Sequence, residues 1–324
     1  MPAPRQSPHT ITPFGNYLLD ELIAEGGMAR VYRARLRGVG GFEKPLVVKQ
    51  VRPELASDPR FVGMFVEEAK TLVRLSHPHI VPVYELGVVD GTYFLAMDLV
   101  EGATLSAMLA QGPLAAPLVA RVGWQTCDAL QHAHERFNLV HRDVTPRNVL
   151  IDAEGQVRLV DFGIATPAEG ATGEVFGSPG YMSPEQLRGE ALDGRSDLFT
   201  LGALLFECLT GEPAFLRRER DASRRAILEE EPPRLPSHIP EELAALVHEM
   251  IARDVEARPA KAADVAKRLR AWLAAHHPEG AGTELGARAQ SAMEAKAPAA
   301  GPITVTSRKT KQEVRTLATS AILA

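Results

Sequence analysis

His141-Arg142-Asp143-Val144-Thr145-Pro146-Arg147-Asn148, followed further on by Asp161-Phe162-Gly163, is the stretch on which the reading of this chain turns. It lies within residues 139–163, where short apolar runs alternate with polar loops. Three oxygen-bearing side chains, Asp143, Asn148 and Asp161, fall close together there. A carboxylate can orient a hydroxyl and take its proton, while an amide oxygen and a second carboxylate suit a hard cation. Polar loop residues also serve as caps, but all of these types at this spacing seldom arise by chance.

Upstream, the chain reads as strand-rich with one helix. Two β-rich runs, residues 17–23 and 30–37, flank the turn Ile23-Ala24-Glu25-Gly26-Gly27-Met28-Ala29-Arg30-Val31. Small residues let backbone N–H groups approach phosphate oxygens there, although many hairpins carry glycines. A third run, 45–51, holds Lys49 after the apolar Leu46-Val47-Val48. Asp58 as N-cap and Pro59 at the first helical position announce a helix. Phe61, Phe65, Leu72 and Leu75 fall broadly on one of its faces. Glu68, three residues from Phe65 and four from Leu72, projects near that face and is a candidate partner for Lys49. Residues 81–88 and 92–99 complete the strand-like segments.

Downstream of Glu101-Gly102 the pattern turns helical, with amphipathic candidates at 117–136, 241–253 and 261–275. Residues 198–209 are apolar on nearly all sides, which marks a helix buried inside a lobe. Beyond 277 the composition shifts to Ala, Gly, Pro, Ser and Thr without a persuasive hydrophobic face, so 278–324 is expected to be a mostly disordered tail. Residues 1–14 read as a flexible arm and 15–277 as the folded domain.

The 324 residues carry a formal net charge of −5, which argues against a nucleic-acid partner. A 45% hydrophobic and 24% charged composition is an ordinary globular balance. Cys127 and Cys208 cannot form a disulfide framework and read as buried thiols in a reducing compartment. No signal peptide or membrane span is legible, so a soluble cytoplasmic protein is expected.

In their order these motifs resemble the eukaryotic-like protein kinases, over roughly residues 15–275. The resemblance implies an α+β, two-lobed protein kinase fold. Its β-rich N-lobe (about 15–98) would carry one regulatory helix, and its C-lobe (about 103–277) would be mainly helical. It assigns Ala24 to Ala29 to the Gly-rich loop, Lys49 to the strand-three lysine and Glu68 to the helix-C glutamate. Asp143 becomes the catalytic aspartate, and Asn148 and Asp161 the metal ligands. Ile23, Val31, Val47 and Leu150 would sandwich adenine, Met97 would be the gatekeeper, and Asp98 to Val100 the hinge. Arg258 should pair with Glu185, and Asp197 should brace the catalytic-loop backbone. Arg142 fits an activation segment ordered by phosphorylation, with Thr172 and then Thr166 as the sites. ATP with Mg²⁺, for which Mn²⁺ can substitute, is the implied cofactor. Proteins are the implied substrates, and self-association for autophosphorylation fits the pattern. The loop 177–181 (Gly-Ser-Pro-Gly-Tyr) and the Tyr181-Met182-Ser183-Pro184-Glu185-Gln186 run resemble the bacterial Ser/Thr branch, which implies Ser and Thr acceptors.

The sequence departs from that pattern at three places. Ala24 and Ala29 stand where the family often has glycine, with Gly26 retained, and Val47 replaces the usual alanine. Thr145 occupies the position of a lysine that offsets phosphoryl charge. Arg147 stands where tyrosine kinases place an arginine for a similar purpose, and it is the candidate replacement. Without such a replacement the same fold would be a pseudokinase scaffold.

Overall fold

Alternation of apolar and polar residues builds a sheet from the first hundred residues, because successive strand side chains point to opposite faces. The computed structural model describes residues 11–26, 28–163, 178–277, 279–296 and 314–316. They divide into two compact units. One is drawn from residues up to 76, 82–99 and those after 296, and the other from 77–81 and 100–296.

The first unit contains β1 (Thr12–Phe14), β2 (Tyr17–Glu25), β3 (Ala29–Arg37), β4 (Glu43–Val51), α1 (Pro53–Ala56), α2 (Pro59–Arg74), β5 (Val83–Val89) and β6 (Thr92–Asp98). The strands pair antiparallel in the order β1-β2-β3-β4-β6-β5. One sheet face holds a core of Phe14, Tyr17, Leu19, Ala34, Leu46, Val48, Val89, Phe94 and Ala96. The Phe14 and Tyr17 rings meet Phe94 edge-on at 5.2 and 5.4 Å between centroids, a favoured aromatic geometry. Leu46 and Val48 face this core, so the pleat turns Val47 and Lys49 to the opposite face. Helix α2 buries Phe61, Phe65, Ala69 and Leu72, the stripe that its spacing requires.

The second unit contains β7 (Gly102–Thr104), α3 (Leu105–Leu109), α4 (Ala116–Phe137), β8 (Val149–Asp152), β9 (Val157–Leu159), α5 (Pro184–Arg188), α6 (Gly194–Thr210), α7 (Arg220–Leu228), α8 (Glu241–Met250), α9 (Ala262–His276) and α10 (Ala281–Lys296). Strands β7, β8 and β9 form a small antiparallel sheet. Helix α6 is buried continuously from Ser196 to Phe206, as its all-round apolar sequence requires. Gly202 lets α8 approach, since a β-carbon there would lie 2.7 Å from the Met250 β-carbon. Cys127 and Cys208 are unpaired and fully buried, and burial raises both thiol pKa values. Among the described residues no helix is long and apolar enough to cross a membrane.

Within the stretch expected to be mostly disordered, Ala281–Lys296 instead forms a helix packed on the second unit. Ala281, Leu285, Ala289 and Ala292 are buried along one face. That stripe contains a single large side chain, so its hydrophobic contrast in the sequence is slight. A further three-residue strand, β10 (Val314–Thr316), pairs antiparallel with β5 in the first unit.

Candidate active site

Asp197 organises the site. It lies in the first turn of α6 and is fully buried. Its carboxylate accepts from the backbone N–H of His141 and of Arg142, both at 2.8 Å. A third contact comes from His134 Nε2 at 2.7 Å, on the last turn of α4. The brace implied by resemblance is therefore present. His134 was missed, because only folding brings the end of α4 against α6. Gly194 makes room for its ring, since a β-carbon there would sit 2.5 Å from His134 Nδ1.

His141 is fully buried beneath the loop that it begins. Its Nδ1 accepts from the Asp143 N–H at 3.3 Å, and its Nε2 lies 3.0 Å from the Val160 carbonyl. Together these contacts select the tautomer protonated on Nε2. Burial lowers the His141 pKa, which keeps the ring neutral as that bonding requires. Its ring lies 4.4 Å from the Phe162 ring, and its carbonyl accepts from the Gly163 N–H at 2.9 Å. The segments 141–148 and 161–163 are thus joined through one histidine.

Arg142 and Asp161 have φ of +68° and +56°, the left-handed region that costs a non-glycine residue about 1–2 kcal/mol. Arg142 is held there from both sides: Asp197 takes its N–H, and Gln186 Nε2 donates to its carbonyl at 2.8 Å. Gln186 belongs to a capping box with Ser183 that starts α5. The Ser183-Pro184-Glu185-Gln186 spacing was a legible signal for that box, though not for its reach to Arg142.

Asn148 Nδ2 donates to the Asp143 backbone carbonyl at 2.9 Å and to Asp143 Oδ2 at 2.8 Å. Both amide hydrogens are thereby engaged, which fixes the orientation and leaves Oδ1 as an acceptor. The Val160 N–H donates to the Asn148 carbonyl at 2.9 Å, tying Asn148 to the residue before Asp161. An amide oxygen and a carboxylate are hard donors, and this set fits a small divalent cation that completes its shell with phosphate and water. Among the described residues no group of three or more His, Cys, Asp or Glu could hold a metal by itself. Thr145 is buried at 2% exposure, whereas Arg147 is exposed with Tyr181 in electrostatic range.

At the far side of α5, Arg258 meets Glu185 through two parallel bonds of 2.7 and 2.9 Å, and Ser196 Oγ adds a third to Glu185 at 2.7 Å. The pairing implied for these residues is present and buried. Burial alone would raise the Glu185 pKa, but the hydrogen bonds from Arg258 and Ser196 outweigh it and hold the carboxyl low.

In the first unit, Lys49 stands opposite Val31 on β3 and Leu95 on β6, and Val47 stands opposite Met97. Strand register therefore gathers Val31, Val47, Lys49 and Met97 on one sheet face. Ala24 pairs with Val31, and Glu25 with Arg30, at the ends of β2 and β3. The Gly26 N–H donates to the Ala29 carbonyl at 2.9 Å, closing the turn. Glu25 also bridges Arg30 and Arg52, each at 2.9 Å, so the Gly-rich turn is tied to the end of β4. Ile23 is exposed and Met28 half-buried; Asp98, the last residue of β6, and Val100, which follows the strand, are half-buried. Leu150 lies on β8 in the second unit. Glu68 lies on α2, with its side chain outside the described atoms, and Gly27, Thr166 and Thr172 lie outside the described residues.

Residues 17–269 match the protein kinase domain family. "Tyrosine-protein kinase MasK" of Myxococcus xanthus is 38% identical over 287 residues, covering 82% of this chain and 44% of that protein. "Serine/threonine-protein kinase PrkC" of Bacillus subtilis is 39% identical over 206 residues, 62% of this chain and 31% of that one. "Probable serine/threonine-protein kinase SCO3848" of Streptomyces coelicolor is 36% identical, covering 85% and 42%. The chain thus spans less than half the length of these relatives. A crystal structure of the Mycobacterium tuberculosis PknI kinase domain superposes with a TM-score of 0.65 at 27% identity, over 82% of this chain and 98% of that one.

Proposed function

This chain belongs to the protein kinase family, and on that premise we propose that it transfers the γ-phosphoryl group of ATP to Ser and Thr hydroxyls of proteins, itself included. The observation that carries the reading is the Asp143–Asn148 pair: a carboxylate, able by its chemistry to receive a proton, hydrogen-bonded to an amide whose remaining oxygen suits a metal. Asp143 orients the acceptor hydroxyl and takes its proton as the new P–O bond forms. The bond from the γ-phosphorus to the β-phosphate oxygen breaks, and ADP leaves.

Asn148 Oδ1 and Asp161 would hold Mg²⁺, which when bound neutralises phosphate charge; Mn²⁺ would fit the same oxygens. Lys49 serves the phosphates, with Glu68 as its partner, and the backbone of residues 24–29 covers them. Val31, Val47, Met97, Ile23 and Leu150 pack on adenine, while Asp98 and Val100 offer hinge backbone groups. Phosphorylation of Thr172 or Thr166 would engage Arg142, and meeting of two copies would permit it in trans. We place the domain in the cytoplasm, on its two unpaired buried thiols.

Tyrosine as acceptor is a second reading, favoured by the tyrosine-kinase name of one relative and by the position of Arg147. A scaffold without transfer is not favoured, since the relatives named above are all kinases. The test is incubation of the purified chain with radiolabelled ATP and Mg²⁺, followed by phosphoamino-acid analysis. Phosphoserine and phosphothreonine are expected, with Asp143→Asn labelled far more slowly. Mainly phosphotyrosine would overturn the acceptor assignment, and no label in the unmutated chain would overturn the enzyme reading.

Arg147 supplies, in this reading, the positive charge that Thr145 cannot. Arg147→Ala should lower kcat by about 10–10²-fold, below the loss typical for a fully enclosed charge-stabilising donor. The residue is exposed, so its removal should leave Tm within about 1 °C of the unmutated value. Steady-state rates on a protein acceptor decide the matter, and an unchanged kcat removes Arg147 from the mechanism.

A further inference from the structure

Helix α10 lies beyond residue 269, where the family match ends, yet it packs against the part of the second unit that carries the metal-binding candidates. It packs on β7, α3 and α4 as well as β8, and at the turn of the β8–β9 hairpin the approach is close enough to require glycine on both sides. A β-carbon on Gly155, which has φ +70°, would lie 2.0 Å from the Gly282 carbonyl oxygen. One on Gly286 would lie 2.2 Å from the Ala153 carbonyl oxygen and 3.0 Å from the Gly155 nitrogen. On the flank, Arg121 of α4 donates from Nε to the Gly155 carbonyl at 3.0 Å and packs its guanidinium over Gly282. Arg288 donates to the Gly112 carbonyl at 3.2 Å. Ala281, Leu285, Ala289 and Ala292 bury the remainder of the face.

The hairpin held in this way is not a neutral place. β8 begins at Val149, immediately after Asn148, and β9 ends at Leu159, two residues before Asp161. The bond from the Val160 N–H to the Asn148 carbonyl closes the open end of the hairpin between those two side chains. The hairpin is short, so a tilt at its turn is passed along both arms to that end. We infer that α10 is a positioning element for the Asn148–Asp161 pair, acting by clamping the hairpin turn through Gly282 and Gly286 against Ala153 and Gly155. The clamp itself rests on geometry alone, and its effect on catalysis rests on the function proposed above.

Gly286 permits a test in which helix propensity and docking pull in opposite directions. Alanine or valine in place of a mid-helix glycine favours the isolated helix, but either β-carbon collides with the hairpin backbone. The full chain carrying Gly286→Val, and separately Leu285→Asp as a second means of undocking, is compared with Thr283→Ala, an exposed control on the same helix. Two quantities are measured: amide hydrogen exchange over residues 149–160, and the Mg²⁺ concentration giving half-maximal rate at saturating ATP. Both undocking variants are expected to speed hairpin exchange several-fold and to raise the Mg²⁺ requirement several-fold, with the protein-acceptor KM unchanged; Thr283→Ala should change neither. Hairpin exchange at the unmutated rate in variants whose α10 amides exchange freely would overturn the inference. So would a lower kcat with an unaltered Mg²⁺ requirement, which indicates general loosening. If the unmutated chain transfers no phosphate, the proposed function fails, and the exchange measurement alone decides the clamp.

Discussion

Asparagine in place of Asp143 is expected to lower kcat for phosphoryl transfer by about 10²–10⁴-fold, the range associated with a positioned proton acceptor. The substitution is nearly isosteric. Its amide oxygen can still accept from Asn148 Nδ2, which now donates to Asp143 Oδ2 at 2.8 Å. The loop is also held independently by the Asp197 carboxylate on the N–H groups of His141 and Arg142, so its path should survive. ATP affinity and Tm are therefore expected to stay near their unmutated values while turnover is lost. Steady-state kinetics together with nucleotide titration separate these effects. A variant retaining more than a tenth of the original kcat would show that Asp143 does not take the proton.

The second large effect concerns stability. Glu185→Ala should destabilise the domain by about 3–5 kcal/mol, because it strands the buried Arg258 guanidinium without its carboxylate. For a unit of this size that corresponds to a fall in Tm of roughly 6–20 °C. Arg258 would keep its carbonyl contacts to Ala252, Arg195 and Arg253 and its place over the Phe199 ring, none of which replaces the full negative charge of the carboxylate. Replacing both partners, as Glu185→Leu with Arg258→Met, removes the stranded charge and should recover most of the loss. The pH dependence has a definite sign. The Glu185 carboxyl is held below its ordinary range in the folded chain. Its contribution is therefore present above the unfolded carboxylate pKa, about 4.3, and is lost as pH falls through the depressed folded value. Thermal melts across the acid range should show a slope in the unmutated chain that is reduced in Glu185→Gln. Equal melting of Glu185→Ala and the unmutated chain would show that the pair is not worth what its burial suggests.

How much of the site was legible depended on the kind of residue. Asp143, Asn148 and Asp161 announce themselves by type and spacing, because hard oxygen donors so close together have few other uses. Resemblance pointed to Asp197 and Arg258, whose partners lie 55 or more residues away in sequence. Nothing local pointed to His134, whose role depends on the meeting of α4 with α6. The neutral state of His141 was equally hidden, since it follows from complete burial and from two backbone partners.

By itself the sequence determined the strand-then-helix order, the buried character of α6, and the chemistry available to the loop from His141 to Asn148. These follow from local periodicity, capping and side-chain type, which act over a few residues. The tertiary structure alone decided that Asn148 is locked to Asp143, that Arg142 and Asp161 adopt left-handed backbone, and that α10 exists as a packed element. Each of these depends on close approach between distant segments. In α10 the approach is made by glycines and alanines, which pack by having little side chain and so leave almost no hydrophobic trace in the sequence.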